Sequence, residues 1–444
     1  MKKQKDILVL CQFYYPEYVS SATLPYEMSV DLVKRGFSLD VLCGYPKEYS
    51  EQQKIPKKEI INGISIKRIQ YLQMNRKGKV GRLVNYFSFI CSVGVHLFSL
   101  RKYRSIIVYS NPPILPVIAV LANRLYKTKI VYVCYDIYPE LALLLGGVQS
   151  GSMIEKVMNH INHSLFNCVS KVVALSHEMK DYLLANKCEL TDTKVEVIPN
   201  WYKKCKDTEE IHNDQFKNLR KNYRTIVVYA GNMGICQDME TIFEAVENLK
   251  THQDILFCFA GHGAKQDDLK EQAKIKGLAQ TIFFDFLTGT DFTDLLKIAD
   301  CYLVSLEKGV EGLSVPSKTY SYLSMGKPII AIMNQETDIA KDLRRTRSGF
   351  SIEQGEKEAL AEYILELDSN KQKVKEMGQN SQQLFVEKYT REICTNQYIE
   401  MMKNVLNRRS DSHVLILSIL VDTFISKISL PMQPVPEIRS ISGA

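Results

Sequence analysis

Residues 311–330 read Glu-Gly-Leu-Ser-Val-Pro-Ser-Lys-Thr-Tyr-Ser-Tyr-Leu-Ser-Met-Gly-Lys-Pro-Ile-Ile. Their types and order suit the capture of an anion. A small-residue loop runs into Pro316, and proline is favoured at a first helical position because its missing N–H costs nothing there. Ser314 or Val315 is then expected at the cap, with Ser317 and Lys318 in the first turn. The helix should run to about Met325 and stop at Gly326. Free N–H groups beside a lysine form an anion site, although an ordinary loop–helix–strand connection has the same pattern. Two glycine turns offer the same service. Gly231-Asn232-Met233-Gly234 closes the apolar run 226–230, and Gly261-His262-Gly263 closes the run 255–260. Glycine lets a backbone approach phosphate closely, but a tight turn needs it equally. Three acids could orient or deprotonate a hydroxyl. Asp136 and Glu140 follow the apolar run Ile130–Tyr135, and Glu17 lies in the loop 12–21 after the run Ile7–Cys11. Each of them could instead cap a helix or pair with a lysine.

These candidates need elements to carry them. Strand, loop, helix and strand alternate from Ile7 to Cys43, which is a βαβ pattern and predicts a parallel sheet. Further short apolar runs at 64–69, 106–110, 130–135, 171–175 and 195–198 extend it. A second alternating series begins at Ile226 and continues through 255–260, 282–286, 301–306 and 329–333. The fold class is therefore α/β, with two Rossmann-like, doubly wound domains facing across a cleft, and ligands are expected at the carboxyl ends of the strands. The divisions read as 1–202, a charged linker at 203–224, and 225–385. Helices at about 386–408 return to the first domain, and an atypical tail occupies 409–444, expected to pack poorly.

Val315-Pro-Ser-Lys318, followed eight residues after the lysine by Gly326-Lys-Pro-Ile-Ile330, resembles the donor segment of family 4 glycosyltransferases with the GT-B fold. The similarity is to the branch that builds bacterial O-antigen, capsule and exopolysaccharide, and it extends from about residue 6 to about 405. It implies retaining, metal-independent transfer of a hexose or N-acetylaminosugar from a nucleotide diphosphate sugar to a glycan acceptor, expected to be linked to polyprenyl diphosphate. No cofactor is implied, since the nucleotide sugar is a substrate. There is no Asp-x-Asp, so charge compensation for the leaving diphosphate falls to helix starts and basic side chains. The turns Gly231–Gly234 and Gly261–Gly263 fall where the resembled family binds the diphosphate and the nucleotide, and Phe286 falls where the backbone meets the base, although a strand-end core residue reads the same way.

The chain also departs from that family. Asn232 and Gln237 stand where relatives carry Arg and Lys directed at the diphosphate, which leaves Lys318 as the leading cation. Ser314 and Ser321, counted back from Gly326, stand where relatives carry two acids for the donor sugar and ribose. Glu311 is a possible substitute for the first. No histidine follows the central strand, so Asp136 is the leading acid near the acceptor, with Glu17 and Glu140 behind it. Two rivals share the resemblance: a nucleotide-sugar 2-epimerase, and a partner subunit that has lost catalysis.

Charge and composition constrain the surroundings. Residues 1–110 hold 18 Lys and Arg against 8 Asp and Glu, while the remainder holds 39 against 42. Within 54–104 twelve basic residues accompany one acid, Glu59. This stretch is either a solvated basic face or a surface for an anionic membrane and a lipid-linked phosphate. No nucleic-acid motif accompanies it. The run Arg82–Leu100 is strongly apolar, but Asn85, Ser88, Ser92 and His96 recur at helical spacing, so an interfacial helix is expected rather than a span. Eleven cysteines without a C-x-x-C pair read as reduced thiols, and no signal peptide is visible. The expected location is cytoplasmic, peripherally associated with the membrane. His160 and His163 lie three apart, with no carboxylate or thiol at ligand spacing nearby, so no metal is expected.

Overall fold

The computed structural model describes residues 4–46, 55–74, 79–204 and 210–407. The tail expected at 409–444 lies outside them, as do Arg76, Lys77 and the Lys79 side chain of the basic stretch.

The first domain contains eight strands: β1 (Lys5–Leu10), β2 (Leu39–Gly44), β3 (Lys58–Ile61), β4 (Ile64–Ile69), β5 (Tyr103–Tyr109), β6 (Lys129–Val133), β7 (Lys171–Ala174) and β8 (Val195–Val197). They form one sheet in the order β3-β4-β2-β1-β5-β6-β7-β8. All pairs are parallel except β3 with β4. The second domain contains β9 (Thr225–Ala230), β10 (Ile255–Ala260), β11 (Thr281–Phe284), β12 (Cys301–Ser305), β13 (Ile329–Ile332) and β14 (Gly349–Ile352). Its sheet is parallel throughout, in the order β11-β10-β9-β12-β13-β14. Helices cover both faces of parallel strands, which is why β9 and β10 are apolar and buried along their whole length.

Local chemistry sets the helix ends. Ser152 accepts a hydrogen bond from the Glu155 N–H and starts the helix Met153–Cys168. Pro116 opens Pro116–Tyr126, and Lys127 in the left-handed region closes it. Thr390 caps the last helix, Arg391–Val405, which packs on Ser20–Lys34 of the first domain through Arg391 and Asp31. The chain thus ends its described course on the domain where it began. Tyr202 and Thr390 pair as a parallel bridge where the two connections between domains run together.

Four expectations change. Residues 203–224 are not all linker: Asp214–Asn222 is a helix whose Phe216 is buried edge-on against Phe284 of the second domain. The apolar run expected at Arg82–Leu100 is a helix at Lys79–Gly94 followed by a 3-10 helix at Leu97–Lys102. Strands β3 and β14 were not expected. The polar edge of the apolar helix points inward. Asn85 is 1% exposed and clasps the Met74 N–H and C=O, and Ser88 binds Leu72. Its outward stripe is Val80, Leu83, Phe87 and Cys91 instead. Among the described residues no helix is long and apolar enough to cross a membrane, and every cysteine is free.

Candidate active site

Asp136 follows β6 at its carboxyl end. Its own N–H and that of Tyr135 are held by Ser110 Oγ, at 3.2 and 3.0 Å. Its carboxylate accepts a 2.6 Å hydrogen bond from Ser314 Oγ, in the loop after β12 of the other domain. The neighbouring Ile137 N–H donates to the Leu313 carbonyl at 2.9 Å. The sequence elements singled out at 136 and 311–318 therefore meet at the domain boundary. Burial holds the Asp136 carboxyl above the ordinary carboxylate range, and the Ser314 hydroxyl pulls the other way.

The glycine turns form one interlocked unit. The Gly231 N–H donates to the Ala260 carbonyl, and the Met233 N–H to His262. A Cβ on Gly261 would lie 2.1 Å from the Gly231 carbonyl oxygen, and one on Gly263 would lie 2.4 Å from the Met233 carbonyl. Both residues have φ in the region that favours glycine. Packing between turns thus requires these two glycines without reference to any ligand. Asn232 is exposed, with its carbonyl bound by Tyr229 Oη at 2.9 Å. Gln237 Oε1 accepts from the Gly234 N–H at 3.1 Å. Asp238 caps the following helix through Thr241, so that helix start already carries a carboxylate.

Lys318 lies differently from the expectation. The helix begins at Lys318, two residues after Pro316, with Ser317 at its cap. Lys318 Nζ sits 3.6 Å from the Tyr229 ring centre and bonds the Tyr229 hydroxyl. Burial lowers the Lys318 pKa well below its ordinary value. Ser321 Oγ is turned back onto the Lys318 carbonyl, 2.7 Å away, and is buried in the helix rather than directed at a sugar. Glu311 is occupied by the Gly309 and Asn334 N–H groups and by the Gln354 amide, so it joins three loops of the second domain. Phe286 is 41% exposed, stacks on Tyr18 of the first domain and meets His262 edge-on.

The other acids are not at the cleft floor beside Asp136. Glu17 is buried, accepts the Tyr14 N–H at 3.4 Å and lies near Cys11 and Cys43. Glu140 is ion-paired with Lys187. His163 is paired with Glu189, the carboxylate that spacing alone did not bring near. Among the described residues no three His, Cys, Asp or Glu side chains stand together as a metal site.

One cation emerges that sequence reasoning missed. Lys265 donates from Nζ to the Gln237 carbonyl at 2.8 Å and pairs with Glu307 at 3.1 Å. It therefore brings an ammonium to the position where the sequence shows a neutral Gln237. Cys236 locates this pair: burial and then Asp136 push its thiol up to about 11, while Lys265 opposes them. The only sequence signal was Lys265 two residues after Gly263.

Residues 210–384 match the profile described as "Glycosyl transferases group 1". The chain is 26% identical over 279 residues to the probable glycosyltransferase WbjE of Pseudomonas aeruginosa, covering 60% of this chain and 67% of the relative. It is 24% identical over 269 residues to the putative colanic acid biosynthesis glycosyl transferase WcaI of Escherichia coli K12, covering 59% and 65%. The solved structure of Anabaena HepE in complex with UDP superposes with a TM-score of 0.65 at 16% identity, over 90% of this chain and all of that one.

The chain is a glycosyltransferase with the GT-B fold.

Sucrose-phosphate synthase from Thermosynechococcus elongatus shares this fold, with a TM-score of 0.69 at 12% identity, over 91% of this chain and all of that one. Within the glycosyltransferase, the group 1 match covers the second sheet, the glycine turns, Lys265 and the 311–330 segment. Asp136 lies outside the matched residues and belongs to the other half of the cleft.

Proposed function

We propose that the glycosyltransferase is a retaining, metal-independent member of family 4 that moves a sugar from a nucleotide diphosphate donor to a polyprenyl-diphosphate-linked glycan in cell-surface polysaccharide biosynthesis. The observation that carries this reading is the convergence on one cleft of Asp136 from the first domain and Ser314, Lys265 and Lys318 from the second. Lys265 and Lys318 supply positive charge for the leaving diphosphate. The acceptor hydroxyl attacks the anomeric carbon, the bond to the phosphate oxygen breaks, and that oxygen takes the hydroxyl proton. Asp136 orients the hydroxyl and forms no covalent bond. HepE, with which this chain shares its fold, was solved with UDP and UDP-glucose, which makes UDP-sugars the first donors to try.

The acceptor reading draws on the apolar helix. Its outward residues Val80, Leu83 and Phe87 form a helical stripe, and Phe87 is 55% exposed. Exposed Arg82 adjoins it. An apolar stripe flanked by basic residues suits peripheral contact with an anionic membrane from its cytoplasmic side. This surface favours transfer to a lipid over 2-epimerisation, which needs no lipid.

The test has two stages. Thermal shift with UDP-, GDP- and dTDP-sugars identifies the donor, and that donor is then supplied with a polyprenyl-diphosphate-linked sugar in EDTA. Transfer with retained anomeric configuration is expected. Epimerisation without acceptor, or no turnover with any donor, overturns the reading. In vesicle sedimentation, Leu83→Ser with Phe87→Ser should lose binding to anionic vesicles that the parent shows.

A further inference from the structure

A cavity of about 310 Å³ lies away from the catalytic cleft, between the β2–β4 ladder and the 3-10 helix Leu97–Lys102. Leu8, Val41, Leu42, Ile66 and Leu100 form its apolar floor, and its polar lining includes three lysines, Lys58, Lys67 and Lys102, against one carboxylate, Asp40. Lys58 and Lys67 stand directly opposite each other in the antiparallel β3–β4 register. Like charges in that position destabilise a sheet. Lys102 and His96 complete the ring, with Ser65 and Ser99 between them.

The negative charge present does not balance this ring. Asp40 is the one carboxylate lining the cavity, and it is already engaged by Lys5 at 2.5 Å and the Tyr103 hydroxyl at 2.7 Å, with Lys102 at 3.5 Å. Glu59 alternates to the other face of β3 and is spent on Arg68. Lys67 Nζ lies 3.3 Å from His96 Nδ1. Burial, then Lys58 and Lys102, lower the Lys67 pKa, and burial, then Lys67 and Lys58, lower that of His96. The lysines and the imidazole thus crowd one another, with Asp40 the single carboxylate among the lining residues.

The segment that walls the cavity also faces outward. His96 and Ser99 line the inside, while Val95 is 80% exposed and Phe98 63% exposed, with the Arg101 guanidinium 3.9 Å from the Phe98 ring centre. An apolar wedge with a lysine-lined cavity of about 310 Å³ behind it, roomy enough for a whole headgroup, matches one partner: an anionic lipid whose chains meet the wedge and whose headgroup enters the cavity.

We propose that this cavity binds the phosphate of an anionic phospholipid headgroup when the protein rests on a membrane through Val95 and Phe98. This inference rests on the peripheral-membrane reading above but involves none of the residues at the cleft. A lysine-walled chamber holds phosphate as a point charge. The bound phosphate also neutralises the Lys58–Lys67 opposition, so binding and folding stability rise together.

The full-length protein is titrated with inorganic phosphate and with short-chain, monomeric phosphatidylglycerol, and sedimented with phosphatidylcholine vesicles with and without phosphatidylglycerol. The variants are Lys67→Gln with Lys102→Gln, and Lys67→Arg with Lys102→Arg. The parent should bind the short-chain lipid, the glutamine variant about tenfold or more weakly, and the arginine variant near the parent. Short-chain lipid should raise the melting temperature of the parent and not that of the glutamine variant, whose own melting temperature without ligand should be no lower. Equal lipid binding by parent and glutamine variant overturns the proposal. Inorganic phosphate binding as tightly as the lipid also overturns it, since the cavity then takes free phosphate. Binding of short-chain lipid without any vesicle binding supports the cavity and sinks only the membrane reading.

Discussion

Ser314 Oγ reaches Asp136 Oδ1 at 2.6 Å and so joins the acidic candidate of one domain to the donor segment of the other. In this arrangement the carboxylate already has a hydroxyl donor in the place where an acceptor hydroxyl would bind. Asp136→Asn keeps an acceptor for Ser314 but removes the charge. Transfer should fall about 100-fold, the scale of a misplaced reacting group, while UDP affinity stays unchanged. Steady-state rates and UDP titration check this, and unchanged transfer would remove Asp136 from the chemistry.

The same residue makes a pH prediction with a definite sign. Burial raises the Asp136 pKa in the folded state. A raised folded pKa means the group's contribution to stability is full below the unfolded pKa and is lost as pH rises through the folded one. Asp136→Asn cannot ionise, so it should melt above the parent at neutral pH, and the gap should close in acid. Parallel melting curves at every pH would contradict the assignment.

Lys318 binds through a proton. Its pKa is held low by burial against Tyr229, and an arriving diphosphate favours the charged form. UDP binding should therefore take up a proton and tighten as pH falls, which calorimetry in buffers of different ionisation enthalpy reads directly. Lys318→Met should weaken UDP binding by about 1.5–3 kcal/mol, the span for a charge-assisted hydrogen bond, and abolish the proton uptake. Affinity within twofold of the parent would show that Lys318 is a packing residue.

Lys265 and Glu307 should act in opposite directions. Glu307 holds the Lys265 ammonium at 3.1 Å; if the diphosphate takes that ammonium as proposed, Glu307→Gln should tighten UDP binding while Lys265→Met weakens it about tenfold or more. Weaker binding in both variants would mean that the pair only braces the loop.

Gly261→Ala puts a methyl 2.1 Å from the Gly231 carbonyl oxygen, a backbone atom that cannot swing aside. The cost should be about 3 kcal/mol, the upper range for overpacking, seen in chemical denaturation. A variant as stable as the parent would show that the two turns are not interlocked.

The parallel strands were legible because burial on both faces leaves an uninterrupted apolar run, as in Ile226–Ala230. Strand β14 was not, since Gly-Phe-Ser-Ile is short and half-polar and gains its identity only beside β13. Asn85 and Ser88 were visible as a polar edge, but their partners are backbone groups of Met74 and Leu72. Periodicity finds a polar face without saying whether water or chain meets it. Asp136 and Ser314 were both singled out, yet their contact joins positions 178 residues apart. Lys265 escaped notice because its partners, Gln237 and Glu307, lie 28 and 42 residues away.

The bridge between Tyr202 and Thr390, with the Tyr202 N–H on the Tyr389 carbonyl at 3.3 Å, means that the chain crosses between its domains twice along neighbouring paths. Two adjacent crossings make a hinge with a single pivot line. The lobes can swing about that line, whereas sliding or separating them would break the pairing. Opening the cleft then reduces to one angle, and the Asp136–Ser314 contact and the Tyr18–Phe286 stack part and reform together as that angle changes.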